Sequence, residues 1–287
     1  MKHAIILINA YTQSEHELNQ PLRLKGELER LGVQAEIIRN SPAALRVEAD
    51  FCIFLDKDKY TAQALEGRMR LFNCAKAIEI CDDKMLTHLA LSGLPMPETI
   101  SSLLCYTPSS PVSKELIEEV EARLRFPLVV KENHGSLGKQ VYLVKNRGEL
   151  EKIAEQLKGV PHLYQKYVAE SSGCDLRVIV VGGKVVAAMK RTSDSDFRSN
   201  AALGGRGEPF AIDGTARALC EEIAARLSLD YCGIDLLFSE KGYLICEVNS
   251  NAFFGTIEQV TGVNVARAYA EHIVSSVCSA EGRNLPR

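Results

Sequence analysis

No stretch of the chain approaches the apolar length needed to cross a membrane. The apolar run in MKHAIILINAYTQSEHE is too short for a signal peptide, and acidic residues follow it at once. Charge of one sign is also scarce. The formal net charge is −3, which provides no basic field to attract nucleic acid. The nine cysteines contain no CxxC pair and the six histidines no HExxH, so neither a zinc site nor a disulfide scaffold is expected. The thiols read as mostly buried and free, in a reducing cytoplasm. No GxGxxG follows the first apolar strand, so a dinucleotide fold has no support. Internal repeats, low-complexity tracts and long linkers are missing too. These absences leave a soluble cytoplasmic protein with neither nucleic acid nor membrane as partner, long enough for about two domains.

What is present centres on residues 231–255, YCGIDLLFSEKGYLICEVNSNAFFG. Residues 232–238 and 243–248 are apolar, β-prone runs, and the turn between them ends in glycine. A three-residue loop Glu240-Lys241-Gly242, with Gly242 left-handed, sets Leu237 opposite Ile245 and Asp235 opposite Glu247. Asn249, two residues on, points to the same face. Like charges directly opposed destabilise a sheet, and buried carboxylates need a partner. A divalent cation would resolve both problems. Two carboxylates and an amide oxygen suit Mg²⁺ that also holds substrate phosphates. A solvated face with ordinary surface acids is the plainer alternative for this pattern alone.

In chain order, residues 3–8 form a strand, 15–31 a helix stopped by Gly32, 33–38 a second strand and 51–55 a third. This beginning predicts a small parallel sheet, with residues 9–14 at the strand end where open α/β sheets place ligands. Residues 60–70 read as helix and 77–81 as a short apolar strand. Asp82-Asp83-Lys84 opens a helix to Leu91, capped by Asp82 or Asp83. Lys84 in its first turn has the wrong sign for the helix dipole, which suits a job with an anion or else marks a surface lysine. Residues 101–111 are loop-rich and 114–125 helical. In the strand 128–132, Lys131 is either an edge residue reaching water or an anion ligand. The loop after it, Asn133-His134-Gly135-Ser136-Leu137-Gly138-Lys139, can cradle phosphate oxygens on its amides, although it does not match the Walker pattern.

Residues 141–144 pair back onto that strand, 149–158 are helical, and 162–168 form a strand whose edge can offer backbone groups to a purine. Residues 175–181 and 184–189 make a hairpin turning at Gly182-Gly183, with Asp175 and Arg177 on one face. In Asp196-Phe197-Arg198-Ser199-Asn200, Arg198 and Asn200 suit oxyanion or phosphate stabilisation, unless the segment is a solvated loop. Residues 215–227 are an amphipathic helix, 257–261 a short helix and 263–277 the last one; the tail 279–287 reads as frayed.

The order DDK, PLVVKE with its glycine loop, YQKYV, GCDLRVIVVGGKVVAAMKR, DFRSN, GIDLL and EVNSN resembles the ATP-grasp superfamily, and within it the RimK-like α-L-glutamate ligases. The likeness runs from about residue 75 to about residue 275, and as a multi-motif match is far stronger than any single pattern. It implies an α/β (α+β) ATP-grasp fold with a small N-terminal parallel domain at 1–85, a central subdomain carrying the phosphate flap at 86–165 and a C-terminal subdomain with the metal and substrate site at 166–287. By the same resemblance, Lys84 and Lys131 meet the α- and β-phosphates of ATP. Gly135, Ser136 and Gly138 belong to the flap. Gln165, Lys166, Tyr167 and Val168 recognise adenine, and Asp175 lies near the ribose. Arg198, Ser199 and Asn200 reach the phosphates and the reacting carboxylate, and Asp235, Glu247 and Asn249 hold Mg²⁺ (or Mn²⁺). Arg177 or Lys190, from the shared face, would hold a substrate carboxylate.

Two departures stand out. EVNSNAFFG replaces the family-typical EVNASPG, which puts Asn251 at the acceptor side, and ENHGSLGKQV replaces EGTQGIGV in the flap. The activity implied is an ATP-dependent carboxylate–amine ligase working through an acylphosphate, with L-glutamate as the amine and a peptide or small-molecule carboxylate as acceptor. Another ATP-grasp ligase making a dipeptide, or a non-catalytic ATP-binding regulatory module, are the alternatives. Relatives commonly self-associate, so a homo-oligomer is compatible with the resemblance.

Overall fold

A computed structural model describes residues 1–107, 109–135, 138–199 and 205–281. Its backbone is organised by three sheets. The first is parallel, in the order β2-β1-β3-β4, from β1 (His3–Ile8), β2 (Gln34–Arg39), β3 (Phe51–Leu55) and β4 (Arg70–Phe72). Strands β1 and β3 are apolar almost throughout and buried on both faces, as a parallel sheet covered by helices requires. Helix α1 (Glu15–Arg30) crosses from β1 to β2; Ser14 accepts from the Glu17 amide while the Glu17 carboxylate accepts from the Ser14 amide, a reciprocal cap.

The expected strand at residues 77–81 is a helix instead. After α2 (Lys59–Glu66), the fourth strand is Arg70–Phe72, and residues 75–82 form α3 (Ala75–Asp82). A short apolar run does not by itself distinguish the two states. Here Ala75 and Ile78 are buried at helical spacing against the first sheet, and Ala77 and Cys81 against a second core around Leu176, Cys232 and Ile234. Helix α4 (Lys84–Ala90) follows, with the Asp83 carboxylate accepting from the Met85 and Leu86 amides, so Asp83 is the cap and Lys84 does stand in the first turn.

The second sheet, antiparallel in the order β5-β8-β6-β7, is built from β5 (Thr99–Ser101), β6 (Leu128–Glu132), β7 (Val141–Val144) and β8 (His162–Lys166). Strand β5 opens a stretch that reads as loop, being only three residues long. Helices α5 (Lys114–Leu124) and α6 (Arg147–Leu157) cover one face of this sheet. The third sheet, order β11-β10-β9-β12-β13, comprises β9 (Cys174–Val181), β10 (Lys184–Thr192), β11 (Arg206–Pro209), β12 (Tyr231–Ser239) and β13 (Gly242–Asn249). Helix α7 (Gly214–Arg226) packs on one of its faces. On the other, α9 (Val265–Glu281) joins α1 and the first sheet in a common core where the Tyr231 and Tyr269 rings stack at 4.8 Å. Helix α8 (Gly255–Thr261) links the hairpin to α9. Among the described residues no helix is long and apolar enough to cross a membrane. All nine cysteines are free; four of them are buried.

Candidate active site

The hairpin β12–β13 does not have the expected turn. Ser239 stands opposite Gly242, Phe238 opposite Tyr243 and Leu236 opposite Ile245, so the loop is the two residues Glu240-Lys241. The register then shifts between Asp235 and Leu236, and Asp235 still faces Glu247. Cys246 is the extra residue of the bulge. A regular strand sends successive side chains to opposite faces; the bulge instead lets Cys246 and Glu247 both line one cleft. The error of one at the turn and the bulge of one cancel, which is why the pairing of acids was legible and its route was not.

The opposed carboxylates are not left to repel one another. Asp235 lies directly across from Arg177 of β9, whose Nε and Nη2 both donate to it, the latter at 2.8 Å to Oδ2. Arg191 of β10 reaches over β9 and brings its Nη2 to 3.0 Å from the same Oδ2. Arg191 also forks onto Asp175, Nε to Oδ1 at 2.7 Å and Nη2 to Oδ2 at 2.5 Å. Burial alone would raise the Asp235 carboxyl, and the two guanidiniums outweigh it, holding it below the ordinary carboxylate value. Asp175 goes the other way: burial raises it, and Arg191 only partly offsets that. Glu247 faces Lys84, with Nζ at 3.8 Å. The charge problem that suggests a cation is thus already answered by arginines. A divalent ion still fits the donor set, because three contacts engage Asp235 and a carboxylate offers about four acceptor positions. Among the described residues no group of three His, Cys, Asp or Glu side chains assembles a metal site. An ion here would use two carboxylates with amide or substrate oxygens.

The cleft lies between the second and third sheets and is lined by residues of both. Lys131 is 8 % exposed at its edge, and its ammonium makes one hydrogen bond among the described residues, to Cys246 Sγ at 3.6 Å. A thiol does not balance a buried cation. Lys84 is nearby; burial pushes its ammonium below the usual lysine value, Glu247 pulls it back up and Lys131 pushes it further down. Lys84 and Lys131 share this cleft with Gly135 and Gly138, an arrangement of the kind that suits a polyanion. Arg198 closes the opposite side. Asp196 accepts from its main-chain amide at 2.8 Å, from Nε at 2.9 Å and from Nη2 at 2.7 Å, while Nη1 donates to the Gly138 carbonyl and, at 3.4 Å, to that of Val141.

Most of the expected site residues converge. Lys84, Lys131, Gly135, Gly138, Asp175, Arg198 and Ser199 line the cleft with Asp235 and Glu247. Gln165, Lys166, Tyr167 and Val168 form its wall from β8 onward; Gln165 donates to Thr99 Oγ1 at 3.0 Å. Ser136 and Asn200 lie outside the described residues. Asn249, Asn251, Arg177 and Lys190 are not among the described residues lining the cleft. Arg177 is engaged by Asp235, and Lys190 pairs across the strand edge with Glu208 at 3.7 Å. Asn251 keeps its side-chain oxygen buried, with no hydrogen-bond partner among the described residues.

Arg191, Cys246, Asp196 and Gln140 were not anticipated. Counting from the two-residue turn at Gly182-Gly183 puts Lys190 opposite Asp175. A second register shift, between Val185 and Ala187, puts Arg191 there instead. Bulges leave no mark in composition, so both residues they reposition escape a reading of the sequence.

Comparison with known proteins agrees with this geometry. A sequence model described as the RimK-like ATP-grasp domain matches residues 81–273. The human protein named beta-citrylglutamate synthase B is 34% identical over 262 residues, 90% of this chain and 64% of that protein. Human N-acetylaspartylglutamate synthase A is 38% identical over 211 residues, 72% of this chain and 52% of that protein. The chain therefore spans between about half and two thirds of the length of these relatives. Among solved structures, a RimK domain ATP-grasp protein from Sphaerobacter thermophilus DSM 20745 superposes with a TM-score of 0.70 at 22% identity, covering 94% of this chain and 98% of the other, a likeness of fold.

Proposed function

The chain belongs to the RimK-like ATP-grasp family of ligases, and on that premise we propose that it is an ATP-dependent carboxylate–amine ligase joining L-glutamate to a peptide or small-molecule carboxylate. The observation that carries the nucleotide part is Lys131, a buried ammonium whose one hydrogen bond among the described residues is to a thiol, in a cleft shared with Lys84, Gly135 and Gly138. Phosphate oxygens would give Lys131 an anionic partner. The choice of glutamate follows the two relatives, named for products in which a citryl or an N-acetylaspartyl group is joined to it.

In this reading the substrate carboxylate attacks the γ-phosphorus of ATP, giving an acylphosphate and ADP. The glutamate amine then attacks the acyl carbon, the tetrahedral adduct loses phosphate, and an amide remains. Charge develops on the transferred phosphoryl group, so positioned cations provide most of the rate enhancement. Lys84 and Lys131 would hold the nucleotide phosphates, and the amides around Gly135 and Gly138 would cover them. Arg198 would turn its guanidinium from the flap carbonyls to the acylphosphate oxygens, with Ser199 and Asn200 beside it. Asp235, Glu247 and Asn249 would hold Mg²⁺, which when bound neutralises phosphate charge. Asn251 would face the acceptor. The free cysteines are consistent with work in a reducing cytoplasm.

The test is to incubate the protein with MgATP, isotope-labelled L-glutamate and a panel of carboxylic acids and peptides, following ADP release and labelled amide by mass spectrometry. Labelled amide with stoichiometric ADP is expected. Nucleotide binding without ADP release under every combination of amine and acid would refute ligation. ADP release with label absent would keep ligation and reject glutamate. Glu247→Ala should remain folded and lose Mg²⁺-dependent turnover.

A further inference from the structure

Arg191 is the most enclosed cation of the third sheet. It is 5 % exposed and does not line the cleft, yet it bonds two acids that do. Its position follows from the bulge in β10, which sets it opposite Asp175. From there the guanidinium spans β9 and touches Asp235 on β12, so one side chain ties together three strands. Its fork is fully committed to Asp175, and only Nη2 is shared with Asp235. Asp235 takes its own fork from Arg177. The two acids thus sit in an alternating lattice of Asp175, Arg191, Asp235 and Arg177, with the acidic edges turned to the cleft and Arg191 behind them.

The geometry points to Arg191 as a positioning residue: it fixes the orientation of Asp235 relative to Asp175, and so sets how tightly the ligase holds a divalent cation together with its nucleotide. The inference rests on the reading of the cleft as a MgATP site. A lysine would keep the charge but lose the planar fork, because an ammonium cannot bond both oxygens of Asp175 and still reach Asp235 in a fixed plane. Asp235 would then be oriented by Arg177 alone. Groups that hold a metal ligand from behind typically change metal affinity by about 10–100-fold when replaced.

The experiment titrates fluorescent ADP into the parent and into Arg191→Lys, first in EDTA and then over a series of Mg²⁺ concentrations, with thermal melting as the check on folding. For the parent, ADP affinity should rise with Mg²⁺. If it does not, the reading of the cleft fails rather than this inference. In folded Arg191→Lys, ADP affinity in EDTA should match the parent, while the Mg²⁺ midpoint should rise about 10–100-fold. An unchanged midpoint in the folded variant overturns the proposal. So does an equal loss of affinity with and without Mg²⁺, which would make Arg191 a general determinant of the cleft. If Arg191→Lys does not fold, the paired variant Arg191→Met with Asp175→Asn removes one charge of each sign from the interior. In that variant the ratio of affinities with and without Mg²⁺ should fall below the ratio measured for Asp175→Asn alone, and an equal ratio overturns the proposal. If neither variant folds, Arg191 serves the fold and not the site, and the proposal is lost.

Discussion

The ammonium of Lys131 lies 3.6 Å from the thiol of Cys246, and these two residues come together from different sheets. Lys131 is the fourth of five residues in β6 of the second sheet; Cys246 is the extra residue of a bulge in the third. Burial raises the Cys246 thiol above its ordinary value and Lys131 pulls it partly back. Among the described residues Lys131 has no carboxylate within ion-pair distance, and in the proposed reading nucleotide phosphate would be its partner.

Replacing Lys131 with methionine should therefore separate folding from binding. A buried charge exchanged for an apolar side chain of similar length is often neutral or stabilising. We expect Lys131→Met to melt no lower than the parent, and to lose about 1.5–3 kcal/mol of nucleotide affinity, the range for hydrogen bonds to charged groups. Calorimetric titration with ADP measures the second and thermal unfolding the first. A lower melting temperature with unchanged affinity would mean that the lysine serves the fold.

Cys246 supplies a footprint of the cleft that needs no substitution. Its raised pKa predicts slow alkylation near neutral pH, accelerating as the pH climbs and more of the thiolate forms. Nucleotide in the cleft should block it. Peptide mass spectrometry after iodoacetamide treatment, with and without MgADP, reads Cys246 separately from exposed Cys278, which serves as the control. Equal labelling of Cys246 in the two conditions would place the nucleotide elsewhere.

How much of this was open to a reading of the sequence depends on the kind of signal. The parallel first sheet was legible because β1, β2 and β3 announce themselves by apolar runs and a capped helix between them. The lysines and the DFRSN segment were legible because charge inside or beside an apolar strand is conspicuous. Arg70–Phe72 and Thr99–Ser101 were not, because three residues are too few for periodicity to register. The arginine lattice was hidden more deeply. Arg177, Arg191, Asp175 and Asp235 are spread over 61 positions of the chain, and their contacts depend on register set by two bulges. The opposed acids suggested a metal because the guanidiniums that neutralise Asp235 arrive from other strands.

Asp196 holds Arg198 from three sides, and Arg198 in turn holds the flap by the Gly138 and Val141 carbonyls. The flap should therefore be looser in Asp196→Ala. Lys139 is exposed on the flap beside Gly138, so trypsin cleavage after Lys139 should be faster in the variant than in the parent, and MgADP should slow it in both. Global stability should change by no more than about 1 kcal/mol, since the pair is partly exposed and surface pairs contribute little. Identical cleavage rates would show that the flap is held by other contacts.

Asn73 carries the connection between the first sheet and the hairpin. Its Nδ2 donates to the Tyr231 carbonyl at 2.8 Å and the Ser250 carbonyl at 2.9 Å, and its Oδ1 accepts from the Asp230 amide at 2.7 Å and the Tyr231 amide at 3.0 Å. The start of β12 and the residue following β13, which together form the open end of the hairpin that presents Asp235 and Glu247, are thus anchored by one amide that is 1 % exposed. Alanine would leave those main-chain groups without partners in a site that water does not reach, at about 1–3 kcal/mol for each group that finds none. We expect Asn73→Ala to lose about 3–5 kcal/mol in urea unfolding, at the upper end for a single substitution. Aspartate would be a poor rescue, since it has no N–H to give the Tyr231 and Ser250 carbonyls. Because the common core of α1, α9 and the two sheets is continuous, unfolding should stay a single transition with an unchanged denaturant slope. A separate early transition in Asn73→Ala would show that the first sheet detaches by itself, and that this amide, more than the shared core, holds it to the active site.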